Sequence, residues 1–258
     1  MTTCARTHDG GSGVLGHGPP GHGRSVRRRP DGRIALFVAR SLGGARTVLN
    51  VGAGTGTYEN AVRALAPGGP SSSPHTAPAV DAVAVAAAGE LPFADGSFDA
   101  AMTLFSVHQW GDVTAGLRET RRVTRGPVTV LTRDPARVRD FWLYAYAPGV
   151  LDTEALRYPP VDEIAAALGG TVTVEAVPVP FDCTDGFNEA YYGRPEMLLD
   201  PAAREACSAW SFVDDTAREH FDRTLRHDLA SGAWDARFGH LRTRPAYRGS
   251  LVVVRSEP

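Results

Sequence analysis

The stretch Thr47 to Glu59, TVLNVGAGTGTYE, constrains the fold of this chain more than any other, because an apolar run breaks into three closely spaced glycines. Val48, Leu49 and Val51 suit a buried parallel strand. Gly52, Gly54 and Gly56 let the backbone turn sharply and approach a bound molecule where a Cβ would collide. In open α/β sheets ligands settle at the carboxyl edge of the strands, which places a binding site just after Val51.

A second segment gives that turn its context. Glu90 to Trp110 reads ELPFADGSFDAAMTLFSVHQW, a turn feeding an apolar strand that ends in polar and aromatic groups. Together the two motifs resemble the class I S-adenosylmethionine-dependent methyltransferases, in particular the small-molecule branch that carries LPFxDxSFD before its fourth strand. The resemblance covers roughly residues 30 to 258. It implies an α/β fold of Rossmann-like, doubly wound type: a seven-stranded, mostly parallel sheet with an antiparallel last strand and a helical cap insertion. It also implies S-adenosylmethionine as donor and S-adenosylhomocysteine as product. The loop Gly52, Ala53, Gly54, Thr55 and Gly56 would run beside the methionine moiety, with Asn50 close by. Leu91 would face the adenine side, and Phe105 and Ser106 would lie near donor or acceptor.

His108 follows the fourth strand at the same edge of the sheet. An imidazole there suits proton transfer from a hydroxyl or acidic carbon, or acceptor binding. The alternative is a histidine hydrogen-bonded at the strand–helix junction beside Trp110.

The chain also departs from the branch. An acidic residue usually ends the second strand and accepts from the ribose hydroxyls, but Arg63-Ala-Leu-Ala-Pro-Gly-Gly puts Ala66 in that place. Asp81 is a rival for that ribose role and Glu59 another substitute, though Glu59 is more simply a solvated carboxylate at a helix start. In the turn before LPF, where an Asp often reads the adenine amino group, the chain has Ala87-Ala88-Gly89, with Glu90 as the substitute. The tyrosines that close over the donor ahead of the RxxR entry are missing from Gly-Arg-Ser-Val-Arg-Arg-Arg-Pro30. The first functional expectation is methyl transfer to a small-molecule acceptor, in a setting such as bacterial secondary metabolism. The second is a non-methylating cyclase or isomerase on the same scaffold, and the third a binding protein with a vestigial site.

Composition narrows the remaining chemistry. All 27 cationic side chains are arginine, so a Schiff-base lysine, a pyridoxal phosphate anchor and a phosphate-loop lysine are excluded. A net charge of −2 gives no reason to expect a nucleic-acid or membrane partner, and no run approaches the ~18 apolar residues of a membrane span. Cys4, Cys183 and Cys207 form neither a zinc pattern nor an even disulfide set, which suits free thiols in a reducing cytoplasm. No metal site is expected.

Along the chain, residues 1–30 are rich in Gly and Pro and read as a flexible tail, in which His8, His17 and His22 are solvated. Residues 31–258 read as one methyltransferase-like domain. Within it, helices are expected from Asp31 to Gly43, over Asp112 to Val123 and over Glu154 to Leu168. Strands are expected at Thr47–Val51, Ala79–Ala86, Phe98–Val107, Val128–Leu131, Thr171–Val179 and Leu251–Val254. Residues 67–78 form a loop, and the aromatic-rich stretch 182–240 forms the cap over the acceptor.

Overall fold

The computed structural model describes residues 3–6, 27–52, 57–65, 83–85 and 88–258, excluding the side chains of 3–6, 57, 63–65 and 83–85. A sheet of order β3-β1-β2-β4-β5-β9-β6 forms its centre. In chain order the strands are β1 (Thr3–Arg6), β2 (Val48–Val51), β3 (Val83–Val85), β4 (Ala100–Leu104), β5 (Val128–Arg133) and β6 (Thr171–Ala176). After the small hairpin partners β7 (Val179–Pro180) and β8 (Ala246–Tyr247) comes β9 (Leu251–Glu257). Only β9 runs against the rest of the large sheet, pairing antiparallel with both β5 and β6. This is the expected doubly wound sheet with an antiparallel last strand.

The central strands are buried along their length because both faces are covered. Leu49, Val51, Ala101, Val128 and Val130 pack on one face with Leu117 of the helix Val113–Arg122 and Ile164 of the helix Val161–Leu168. Val48, Ala100, Met102 and Leu131 pack on the other with Ile34, Ala35 and Val38 of the helix Gly32–Ser41. Each fully buried aliphatic side chain contributes roughly 1.5–3 kcal/mol, so the period-two alternation along each strand fixes its register. Asp31 caps the first helix by accepting from the Arg33 N–H, and Asp112 caps the helix after β4 by accepting from the Ala115 N–H at 2.8 Å.

Three expectations need correction. Thr3–Arg6, read as part of a tail, is a strand held between β2 and β3, with Ala5 opposite both Val51 and Ala84. Two parallel ladders satisfy its backbone, a gain that side-chain composition does not reveal. Arg27 and Arg28 are also anchored, to Asp200 and Asp185 respectively. The helix expected over Glu154 to Leu168 is two helices, Pro148–Arg157 and Val161–Leu168, parted at Pro159 and Pro160, which cannot donate in a helix and push the preceding residue toward extended backbone. Finally, the cap core is not confined to residues 182–240. Phe141, Trp142, Tyr146, Val150 and Leu151 join Tyr191, Tyr192, Trp210, Phe221 and Trp234 in one cluster, whereas Phe187 packs with the sheet. Phe212, counted with the cap aromatics, is 43% exposed.

The loop 67–78, Ala66, Asp81 and the histidines at 8, 17 and 22 lie outside the described residues. The same holds for the Cys4 side chain. Among the described residues no helix is long and apolar enough to cross a membrane, and no group of His, Cys, Asp or Glu could hold a metal ion.

Candidate functional site at the carboxyl edge of the sheet

The carboxyl ends of β2, β4 and β5 lie side by side, because β4 pairs parallel with both neighbours. The turn after β2 begins at Gly52, whose φ of +75° is a conformation that an L side chain rarely adopts. A Cβ built there would lie 2.5 Å from Ser106 Oγ and 3.2 Å from Trp110 Nε1. The close approach that requires glycine at this position is therefore to the protein's own β4 turn. Ala53, Gly54, Thr55 and Gly56 lie outside the described residues.

Ser106 ties the two turns together. Its hydroxyl is 2.5 Å from Thr103 Oγ1 and donates to the Val51 carbonyl at 3.3 Å, and the side chain is buried. Phe105 immediately before it has φ +52°, a strained backbone for an aromatic residue. Its ring packs against Tyr58 (centroids 5.6 Å apart) and Phe187 (6.1 Å), with the Arg28 guanidinium over it at 5.7 Å. The expected Phe105 and Ser106 thus sit at the mouth, one facing the cap and the other joining β2 to β4.

Asn50, late in β2, donates from Nδ2 to Glu59 Oε2 at 3.3 Å. Glu59 is 5% exposed, so the carboxylate expected in solvent is buried under the sheet edge. The cause is the helix Thr57–Leu65, which packs against the helix Gly32–Ser41 with Val62 in the same core as Val48, and so brings this residue onto Asn50. Asn50 Oδ1 remains buried with no hydrogen-bond partner, and so does the Trp110 indole N–H. The indole lies at the Gly52 turn, 3.2 Å from where a Cβ at Gly52 would stand, and packs on the Leu49 and Val51 face of β2, whereas Asn50 meets the helix Thr57–Leu65 through Glu59.

Leu91 is buried, and its turn is bound to the following helix: its N–H donates to Glu119 Oε1 at 3.0 Å, and its carbonyl accepts from Arg122. Arg122 holds the Glu119 carboxyl below the usual range. His108 stands just outside, half-buried, with its ring centroid 4.4 Å from that of Tyr158. The structure therefore brings Asn50, Gly52, Phe105, Ser106 and His108 to one edge and fixes Leu91 in the adjoining core.

A buried charge cluster, absent from the sequence reading, adjoins this mouth. Arg133 at the end of β5 is 3% exposed and donates to Glu189 Oε2 and Ser250 Oγ, both at 3.1 Å. Glu154 accepts from Asn188 Nδ2 at 3.0 Å, and Asn188 accepts in turn from Trp210 Nε1 at 3.0 Å. Burial pushes the Glu154 carboxyl above its ordinary range, while Arg133 opposes the shift. Arg28 makes a two-point pair with Asp185, at 2.5 and 3.3 Å, and Tyr58 donates to the same carboxylate at 2.9 Å. One signal was legible: a charged residue ending a parallel strand stands where ligands bind. It was missed because the strand was read only to Leu131.

Burial raises the thiols of Cys183 and Cys207 to about 12, so neither is a ready nucleophile. A cleft of about 490 Å³ between Tyr146–Val150 and Val213–Arg223 shares no residue with the sheet edge.

Residues 49–128, from β2 through the start of β5, match the family described as "Methyltransferase domain". A crystal structure from Anabaena variabilis ATCC 29413, named as a methyltransferase from an antibiotic biosynthesis pathway, aligns with 90% of this chain and 99% of its own. The TM-score is 0.73 at 23% identity, a likeness of fold. The uncharacterized protein YafE of Escherichia coli (strain K12) is 42% identical over 60 residues, which span 22% of this chain and 29% of that protein.

Proposed function

We propose, from the premise that this chain is a class I S-adenosylmethionine-dependent methyltransferase in its fold and in the domain matched at residues 49–128, that it transfers a methyl group to a small-molecule acceptor held under the cap. The observation that carries this reading is the end of β2, where two polar atoms are buried and unpartnered: Trp110 Nε1 at the Gly52 turn and Asn50 Oδ1 late in the strand. One accepts and one donates, which fits a donor whose amino-acid end offers both an ammonium and a carboxylate. Secondary metabolism is the proposed setting, following the pathway named for the Anabaena protein.

A bound S-adenosylmethionine would supply an activated methyl carbon for the acceptor's lone pair, with sulfur as the leaving group that keeps the bonding electrons. The protein's part is position and dryness. Trp110 would donate to, and Asn50 accept from, the polar end of a bound donor, and the Gly52 turn keeps the ends of β2 and β4 together. Phe105 and Phe187 close the apolar side of the mouth and exclude water. His108, beside Tyr158, receives the proton that the acceptor gives up.

Calorimetric titration with S-adenosylhomocysteine tests this directly. Binding at micromolar concentration or tighter supports the reading, and no heat up to millimolar ligand overturns it. His108→Ala is expected to lower turnover while leaving that binding unchanged.

A further inference from the structure

The charges buried between the sheet edge and the cap do not balance. Arg133 is matched by Glu189, which also accepts from the Ser250 N–H at 2.8 Å, and Arg28 is matched by Asp185. Glu154 is the surplus. Its Oε1 is oriented by Asn188, itself fixed by the Trp210 indole. Its Oε2 is buried with no hydrogen-bond partner, and the nearest cationic atom, Arg133 Nε, is 3.9 Å away, beyond hydrogen-bond reach. The residue is 8% exposed. A buried carboxylate oxygen held in one orientation and left unsatisfied costs free energy that a ligand's N–H recovers.

The surroundings set the class of ligand. Glu154 and Tyr158 lie one turn apart at the end of the helix Pro148–Arg157, and the positive charge of Arg133 acts on both. Tyr158 packs on His108, and Phe187 lies between Arg133 (5.2 Å to the ring centroid) and Phe105. Aromatic faces beside a surplus carboxylate suit a cation carrying an aromatic ring.

We propose that Glu154 is the recognition group for the acceptor and that the acceptor is an arylalkyl amine, which binds as its ammonium with an N–H on Glu154 Oε2 and passes one proton to His108 before its freed nitrogen lone pair takes the methyl group. This rests on the methyltransferase reading of the site, and it extends that reading by naming the substrate class.

The test uses 2-phenylethylamine and its acidic counterpart 3-phenylpropionate, each titrated calorimetrically with the full chain, with and without S-adenosylhomocysteine. The amine is expected to bind at least tenfold more tightly than the acid. Glu154→Gln should lose that preference, and Glu154→Asp, which keeps the charge, should retain part of it. Circular dichroism identifies a variant that fails to fold, in which case the amine-to-acid ratio on the wild-type chain decides. Equal affinities, no measurable amine binding, or an unchanged amine affinity in a folded Glu154→Gln overturns the proposal. Loss of S-adenosylhomocysteine binding alone would sink the methyl-transfer reading and leave the amine result readable in the donor-free titration.

Discussion

Gly52 and Ser106 stand so close across the mouth of the sheet that a single added carbon at Gly52 would lie 2.5 Å from the serine hydroxyl. Ser106 cannot retreat, because the same hydroxyl is engaged with Thr103 and the Val51 carbonyl. Gly52→Ala therefore combines a left-handed backbone cost with overpacking, together about 2–4 kcal/mol of stability. Urea denaturation measures it. Adding Ser106→Gly should recover the overpacking share and leave the backbone share, so a non-additive double-mutant cycle is expected.

Trp110 offers a separate probe of the donor site. Phenylalanine keeps an aromatic ring in the cluster around Trp110 but removes the unpartnered indole N–H. Trp110→Phe should lower S-adenosylhomocysteine affinity two- to tenfold, the value of one neutral hydrogen bond of about 0.5–1.5 kcal/mol. Calorimetry showing equal affinity would remove Trp110 from the site.

How much of this was readable from residue order alone varies along the chain. β2, β4 and β5 were legible because strands buried on both faces are written as nearly continuous apolar runs, and the helices after Asp31 and Asp112 followed from their apolar stripes. β1 was not, because Thr-Cys-Ala-Arg carries no pattern and gains its place from backbone pairing with two distant strands. The burial of Glu59 was hidden for a related reason: its partner, Asn50, meets it only once helix and strand pack. Arg133, Glu154 and Glu189 come from three separated segments, and no spacing rule links a strand end to two cap elements.

Asp31 ties the start of the first helix to the segment entering the cap. Its carboxylate accepts from Arg33 and from the Thr184 N–H, and these bonds hold its pKa at about 2 against an ordinary 3.8, despite the opposing effect of burial. A pKa lowered on folding stabilises the folded chain above the unfolded value, and that contribution is lost as pH falls through the folded value. Asp31→Asn is therefore expected to cost about 2 kcal/mol at pH 7, with the difference from wild type shrinking between about pH 4 and pH 2. Denaturation midpoints across that window check the sign. A gap that widens on acidification would mean that the carboxylate does not hold the junction.

The place of β1 in the sheet makes the strongest demand on the N-terminal segment. It stands between β2 and β3, so β3 reaches the rest of the sheet only through it. A proline in a strand paired on both sides removes a ladder donor that no solvent-facing edge can excuse, at about 3 kcal/mol or more. Ala5 sits opposite Val51 on one side and Ala84 on the other, which makes Ala5→Pro the sharpest single change. Hydrogen exchange followed by mass spectrometry should then show fast exchange at Val83–Val85 while Val128–Arg133 stays protected, because β5 pairs with β4 and β9 independently of β1. Unchanged protection at Val83–Val85 would show that β3 is held by something other than Thr3–Arg6. Simultaneous loss in β5 would instead make the whole sheet one cooperative unit nucleated from the N-terminal strand.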